Sequence, residues 1–90
     1  MELHEKLELV NSKETFLEFV KALIDDKQDE EKKELISPSS PFAEGANGWQ
    51  NITISDFLGA AHSYSTDSIN GIDLSWKGFA TFLYAGKMYE

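Results

Sequence analysis

The fold of this chain is decided by the stretch Phe16-Leu17-Glu18-Phe19-Val20-Lys21-Ala22-Leu23-Ile24. Its apolar residues recur at spacings of three and four, which places them on one broad face of a helix. Just upstream, Asn11 or Ser12 is a suitable N-cap, and Glu14 lies in the first turn, where a carboxylate is favourable. The pattern therefore predicts an amphipathic helix that buries this face.

The segment that follows, residues 25–34, contains only polar residues, and most of them are acidic. If the helix continues, Lys33 can pair with Asp29 or Glu30 one turn away. Otherwise the segment is a charged loop. We expect it to be solvated in either case, and the more specific hypothesis is an acidic docking face for a basic protein.

Two further helices are predicted on either side of this region. Leu3, Leu7 and Val10 have helical spacing and indicate a short N-terminal helix within residues 1–11, loosely attached to the rest. Thr53, followed by Asp56, is typical of a capping box. It opens another helix that reaches about Thr66, marked by the apolar residues Ile54, Phe57, Leu58, Ala61 and Tyr64.

The last predicted helix begins after Asp73 or Ser75, either of which can cap it. Its apolar face consists of Trp76, Phe79, Ala80, Leu83 and Tyr84. Gly86 has the position of a C′ glycine, and Lys87 would complement the helix C-terminus. We expect residues 87–90 to be extended, either as a tail or as a short strand.

Together these patterns predict an all-α fold in one small domain, residues 1–90. It is a bundle of three to four helices, with a long ordered loop between the second and third. The loop, residues 37–50, has two prolines and an Asn47-Gly48 pair that exclude regular helix. It also carries two large aromatic residues, Phe42 and Trp49, which either fold back to enlarge the core or present an anchor to a partner.

Charge and composition exclude several classes of partner. The chain has 90 residues and a formal net charge of −8, and its eight basic residues are all lysines interleaved with acidic ones. Phosphate binding needs clustered positive charge, and arginine is the usual reader of phosphates and bases. We therefore expect neither nucleic acid nor a membrane as a partner, whereas a basic protein is compatible.

The N-terminal residues and the lengths of the apolar segments bear on where in the cell the protein is expected. No apolar run is long enough to span a bilayer, and the acidic N-terminal residues lack the apolar segment of a signal peptide. We therefore expect a cytoplasmic protein. With no cysteine in the chain, a disulfide framework and a thiolate metal site are excluded.

Residues that carry out chemistry are sparse. A serine or threonine nucleophile would need a nearby base, and the two histidines are His4, near the terminus, and His62, at the border of an apolar helix face. The acidic run lacks the ligand order of a calcium loop. We therefore predict no enzymatic activity, no catalytic residue, no metal site and no cofactor.

Several segments together resemble a known family. They are residues 16–23, 37–42, 45–49, 56–58 and 75–90, which include the motifs Asn47-Gly48-Trp49 and Ala85-Gly86-Lys87-Met88-Tyr89-Glu90. From about Ser12 to Glu90 the chain resembles a family of short bacterial proteins, domain of unknown function 7660. The resemblance implies a small cytoplasmic protein and no assigned activity. It gives weight to Asn47, Trp49, Gly86 and Tyr89, which a helical bundle does not obviously require.

The leading functional hypothesis is a non-enzymatic protein–protein interaction module. One form is an inhibitor of the immunity-protein or antitoxin type, whose acidic surface steers it onto a basic toxin. The candidate binding residues are Phe42, Asn47, Trp49 and Tyr89.

Two other hypotheses stay open at this point. The chain is a small-molecule binder with a pocket between the 37–50 loop and the C-terminal helix, lined by Asn47, Trp49, His62 and Tyr89. Alternatively, it is a structural subunit of a larger assembly. The oligomeric state does not follow from the sequence.

Overall fold

Four α-helices make up the regular structure of the computed structural model, which describes residues 1–40, 44–67 and 71–89. They are α1, Leu3–Glu8; α2, Lys13–Ile36; α3, Ile54–Thr66; and α4, Trp76–Met88. The described residues contain no strand. The predicted all-α fold is confirmed.

Each of the three long helices starts at a hydroxyl N-cap. The Ser12 side chain accepts a hydrogen bond from the Thr15 amide at 3.2 Å, and the Thr15 hydroxyl oxygen accepts one from the Ser12 amide at 3.0 Å. Thr53 accepts from the Asp56 amide at 3.1 Å, and Ser75 accepts from the Gly78 amide at 2.9 Å. Of the alternative caps, Ser12 and Ser75 are therefore the ones used.

Helix α2 runs straight through the polar segment 25–34, so that segment is a helix and not a loop. The expectation that it is solvated is wrong for Glu30, whose residue is only 1% exposed. Positions 19, 23, 26 and 30 lie on one face of the helix, so the apolar face continues as an acidic one. That acidic face is covered by the connection between α2 and α3.

The end of α4 also differs from the prediction. Gly86 is not a C′ residue, because the helix continues through Lys87 to Met88 and its C-cap is Tyr89. The expected extended segment over residues 87–90 is therefore wrong for Lys87 and Met88. Tyr89 is extended, and Glu90 lies outside the described residues.

The core lies where α1, α2 and α4 meet. Its buried members are Val10, Phe19, Leu23, Trp49 and Ala80, with Leu3, Leu7, Phe16, Phe57, Leu83 and Tyr84 packed around them. Trp49 thus folds back into the core, as one of the two loop hypotheses stated. Phe42, its companion in that hypothesis, lies outside the described residues.

Helix α4 is the central element of the bundle. It packs against α1, α2 and α3, whereas α3 packs against no helix other than α4. Helices α3 and α4 both bury small residues. They are Ala60 and Ala61 on α3 and Ala85 and Gly86 on α4. Since the backbones of α2 and α3 do not come close, residues 44–53 of the connection fill only part of the space between them.

Candidate functional site

Trp49 is the point where the α2–α3 connection, α2 and α4 meet. Its indole Nε1 donates to Asp26 Oδ2 at 2.8 Å, and its ring stacks on Phe57 with centroids 6.1 Å apart. The ammonium groups of Lys27 and Lys87 lie 5.2 and 5.4 Å from the ring centroid. The ring is therefore held by a hydrogen bond, a stacked ring and two cations.

A single carboxylate oxygen joins three parts of the chain at this point. Asp26 Oδ2 accepts from Trp49 and also from Lys87 Nζ, at 2.7 Å. The Lys87 side chain is only 8% exposed, so this ion pair is largely removed from water. Lys87 lies in the last turn of α4, where it was expected to complement the helix C-terminus, and its ammonium group also pairs with α2.

Glu30 is the buried acceptor for the backbone of the connection. Its Oε1 accepts from the amides of Asn47, at 2.9 Å, and Trp49, at 3.3 Å, and its Oε2 from Lys27 Nζ at 3.2 Å. A Cβ atom on Gly45 would clash with this carboxylate, so glycine is what lets the backbone approach so closely. The negative charge of Glu30 is compensated by the two amides and the Lys27 ammonium group.

Two more carboxylates on the same side of α2 hold the connection. Glu34 accepts from the Ser39 hydroxyl and amide, each at 2.6 Å, and from the Ala46 amide at 3.0 Å. Asp29 accepts from Asn47 Nδ2 at 3.0 Å and from Lys33 at 2.9 Å. Hydrogen bonds from Ser39 lower the pKa of Glu34, and those from Asn47 and then Lys33 lower the pKa of Asp29.

The other end of the connection caps α4. Asn51 Nδ2 donates to the carbonyls of Gly86, at 3.0 Å, and Tyr89, at 2.8 Å, and the Gln50 amide donates to Lys87 O at 3.0 Å. These are carbonyls that the last turn of a helix leaves without a partner. The connection thus bonds to α2 on one side and to the end of α4 on the other.

The polar atoms of this region satisfy one another. Among the described residues, no buried side-chain nitrogen or oxygen lacks a hydrogen-bond partner. No group of three His, Asp or Glu side chains in the described ranges is arranged to hold a metal ion. We name Asp26, Lys27, Glu30, Trp49 and Lys87 the Trp49 cluster, and its geometry fits a structural anchor for the connection.

The predicted binding residues are brought together only in part. Asn47 and Trp49 are adjacent in the anchored turn, where Gly48 has a positive φ of 84°. Tyr89 packs edge-on against Tyr64, with centroids 5.4 Å apart, and reaches this region only through its carbonyl. His62 is exposed on α3, away from these contacts. Phe42 lies outside the described residues, and a binding role for all of them stays a prediction.

The two motifs that carry the family resemblance therefore meet in one place. Asn47 and Trp49 belong to the first, and Lys87 to the second. A family model matches the chain over residues 12–90. The chain belongs to DUF7660, a family of unknown function. Helix α1 precedes the part that matches the DUF7660 model.

The other comparisons add no relative. No curated protein and no solved structure shows significant similarity to this DUF7660 chain. In the part of the chain that the structure describes, no helix combines the length and apolar character needed to cross a membrane.

An apolar groove of about 390 Å³ lies between α2 and the start of α3. Leu23, Trp49 and Phe57 line it from the core side, and three isoleucines flank it. Of these, Ile24 is 46% exposed, Ile52 66% and Ile54 79%. The prediction that Ile24 and Ile54 belong to buried helix faces is wrong, since α2 and α3 stand apart here.

A second depression of about 490 Å³ continues this groove along α2. The two share Lys27, Glu31 and Ile52, and the second extends to the exposed Leu35. We call the pair the α2–α3 channel. Sequence analysis missed it, although the Ile52-Thr53-Ile54 sequence places two isoleucines beside a helix cap.

A third depression, of about 820 Å³, lies between the turn 44–48, α2 and α4. Asn47, Gly48 and Lys87 border it, but of the residues predicted to line a small-molecule pocket, Asn47, Trp49, His62 and Tyr89, it contains only Asn47. Its carboxylates are Glu2, Asp25, Asp26, Asp29 and Glu44. The polar groups of Asn47 and Lys87 are already bonded to Asp26 and Asp29.

Proposed function

We propose that this protein is a non-enzymatic module that binds another protein through the α2–α3 channel. The observation that carries the proposal is the set of isoleucines flanking the channel, Ile24, Ile52 and Ile54, which the described chain leaves uncovered. Contiguous apolar surface rimmed by polar residues is characteristic of protein interaction sites. Three members of the Trp49 cluster, Lys27, Glu30 and Trp49, line the channel and are hydrogen-bonded within the protein.

The charge of the chain supports a basic partner. A net charge of −8 on 90 residues accelerates encounter with a cationic protein and disfavours anionic ones. An inhibitor of the immunity-protein or antitoxin type, bound to a basic toxin, is the most specific form of this proposal. It predicts association that weakens as salt rises, because exposed charges are screened.

The test is affinity capture from a lysate of the source cells with three tagged proteins. They are the wild type, Ile54→Glu in the channel, and the control Leu74→Glu. Ile54 is 79% and Leu74 92% exposed, and both lie beside an N-cap, so neither change should disturb the fold. We expect one stoichiometric partner with the wild type and the control, lost with Ile54→Glu and weakened by salt. A partner retained by Ile54→Glu, or a blank at low salt, contradicts the proposal.

A small-molecule binder is the second candidate, and the depression of about 820 Å³ that Asn47 borders supports it. A ligand that binds only the folded state raises the melting temperature in proportion to the logarithm of its excess over Kd. The test is a thermal-shift screen against classes of metabolites. The absence of any shift, at concentrations far above a plausible Kd, would exclude this candidate.

A further inference from the structure

We infer that the α2–α3 channel accepts an amphipathic helix of the partner, with a lysine or arginine placed between two apolar anchors. The inference rests on the proposed function and specifies the partner's chemistry. It follows from the order of groups along the channel. Ile24 and Ile54 lie toward one end, Glu31 lies where the two depressions join, and Leu35 lies at the other end.

The charge at the centre of the channel is negative. Lys27 lines both depressions, but its ammonium bonds to Glu30 at 3.2 Å and lies over the Trp49 ring. Glu31 is exposed and takes part in none of the ion pairs of the described residues. The carboxylate that faces an incoming chain is therefore Glu31, and a cation between the anchors complements it.

The length and setting of the channel fit a helix. Ile24 and Leu35 are separated by about 16 Å along α2, the rise of eleven helical residues. The described residues offer no strand edge to extend. Helix α2 forms one side of the channel along its length, the start of α3 borders the end near Ile24, and residues 39, 40 and 45 border the end near Leu35. An added helix with apolar residues at i, i+4, i+7 and i+11 would fill this gap in the manner of helix-in-groove recognition.

A second copy of this chain is a poorer occupant. Two copies would each bring a net charge of −8 to the interface, and like charges oppose association. The same net charge of −8 favours association with a cationic helix. Sedimentation separates the two cases, because a dimer of the wild type that Ile54→Glu dissociates would overturn the inference.

The binding test uses two synthetic helical peptides of about 14 residues, long enough to span the channel at 1.5 Å per residue. Both carry leucines at i, i+4, i+7 and i+11, and their polar positions are lysine in one and glutamate in the other. Binding is followed by NMR through the isoleucine methyl groups of the labelled protein. We expect the lysine peptide to shift the signals of Ile24, Ile52 and Ile54, and to leave Ile72 unchanged.

Charge reversal at one residue tests the role of Glu31. Glu31→Lys should weaken the lysine peptide by more than about two- to fivefold, the scale of one exposed ion pair, and strengthen the glutamate peptide. The control Glu18→Lys makes the same change on another face of α2 and should alter both peptides only through net charge. Equal responses to Glu31→Lys and Glu18→Lys would overturn the inference.

The two proposals fail separately. If Ile54→Glu abolishes capture of a cellular partner but the lysine peptide produces no isoleucine shift, the proposed function stands and the helix inference is wrong. If capture is insensitive to Ile54→Glu, the channel is not the binding site, and the proposed function itself is wrong.

Discussion

The ring of Phe57 on α3 occupies the space that a side chain at Gly86 on α4 would need. A Cβ atom built on Gly86 would lie 2.7 Å from two atoms of the Phe57 ring. The same ring stacks on Trp49 and lines the α2–α3 channel. The absence of a side chain at position 86 therefore sets how closely α3 approaches α4, and with it the position of one wall of the channel.

Gly86→Ala should destabilise the protein, because the added methyl group must displace the Phe57 ring. Overpacking of this kind costs about 1–3 kcal/mol, which exceeds the gain of up to about 1 kcal/mol from better helix propensity. The matched control is Gly59→Ala in α3, where an added Cβ meets nothing within 4 Å. Urea unfolding should show a loss for the first and a small gain for the second. A gain in the free energy of unfolding for both variants would mean that the Phe57 ring moves aside at little cost.

Trp49→Ala and Trp49→Phe separate packing from hydrogen bonding. The alanine variant removes a core ring and should lower the free energy of unfolding by about 3–5 kcal/mol. The phenylalanine variant retains most of the ring but not the bond from Nε1 to Asp26, at a cost of about 1–3 kcal/mol. Chemical denaturation measures both. Equal losses would show that the hydrogen bond to Asp26, and not the packing of the ring, stabilises the connection.

The Asp26–Lys87 pair should be strongly coupled. Lys87→Met leaves a partly buried carboxylate without its cation, which we expect to cost about 2–3 kcal/mol, somewhat less than for a fully buried pair. Adding Asp26→Asn should recover part of that loss. A double-mutant cycle measured by urea unfolding gives the coupling free energy. Additive effects of the two changes would show that the ion pair contributes little.

Acid should weaken the anchoring of the connection. The pKa values of Asp29 and Glu34 are lowered in the folded protein by hydrogen bonds from Asn47 and Ser39. Groups with a lowered folded pKa stabilise the protein above the unfolded pKa, and this contribution is lost as pH falls through the folded pKa. The free energy of unfolding should therefore fall below about pH 4.

The double variant Asp29→Asn, Glu34→Gln tests this assignment. Its free energy of unfolding should decline less steeply below about pH 4 than that of the wild type. Glu18→Gln, near the start of α2 and about three turns before Asp29, should keep the wild-type slope. A double variant with the full acid sensitivity of the wild type would place the responsible carboxylates elsewhere.

The helices were predictable because their signals are local. The apolar spacing of residues 16–24 and the hydroxyl caps at Ser12, Thr53 and Ser75 define three helix starts from neighbouring residues alone. The end of α4 was not predictable in this way. Gly86 has the sequence position of a helix stop, but the structure needs glycine there because the Phe57 ring of α3 packs directly against its backbone.

The acidic run was misinterpreted for a related reason. Asp26 and Glu30 continue the face formed by Phe19 and Leu23, at the same helical spacing. In α2, the acidic half of this face accepts hydrogen bonds from backbone amides of the connection, those of Asn47 and Trp49. The channel left a weaker signal, two isoleucines beside the Thr53 cap, because it lies where two helices fail to meet.

The anchoring of the connection has an evolutionary consequence. Glu30 and Glu34 bind main-chain amides of Ala46, Asn47 and Trp49, and every residue except proline supplies such an amide. The exposed side chains of Glu44 and Ala46 are therefore not needed for this anchoring. Substitutions at these two positions can therefore change the surface of the protein without removing the hydrogen bonds that hold the connection to α2.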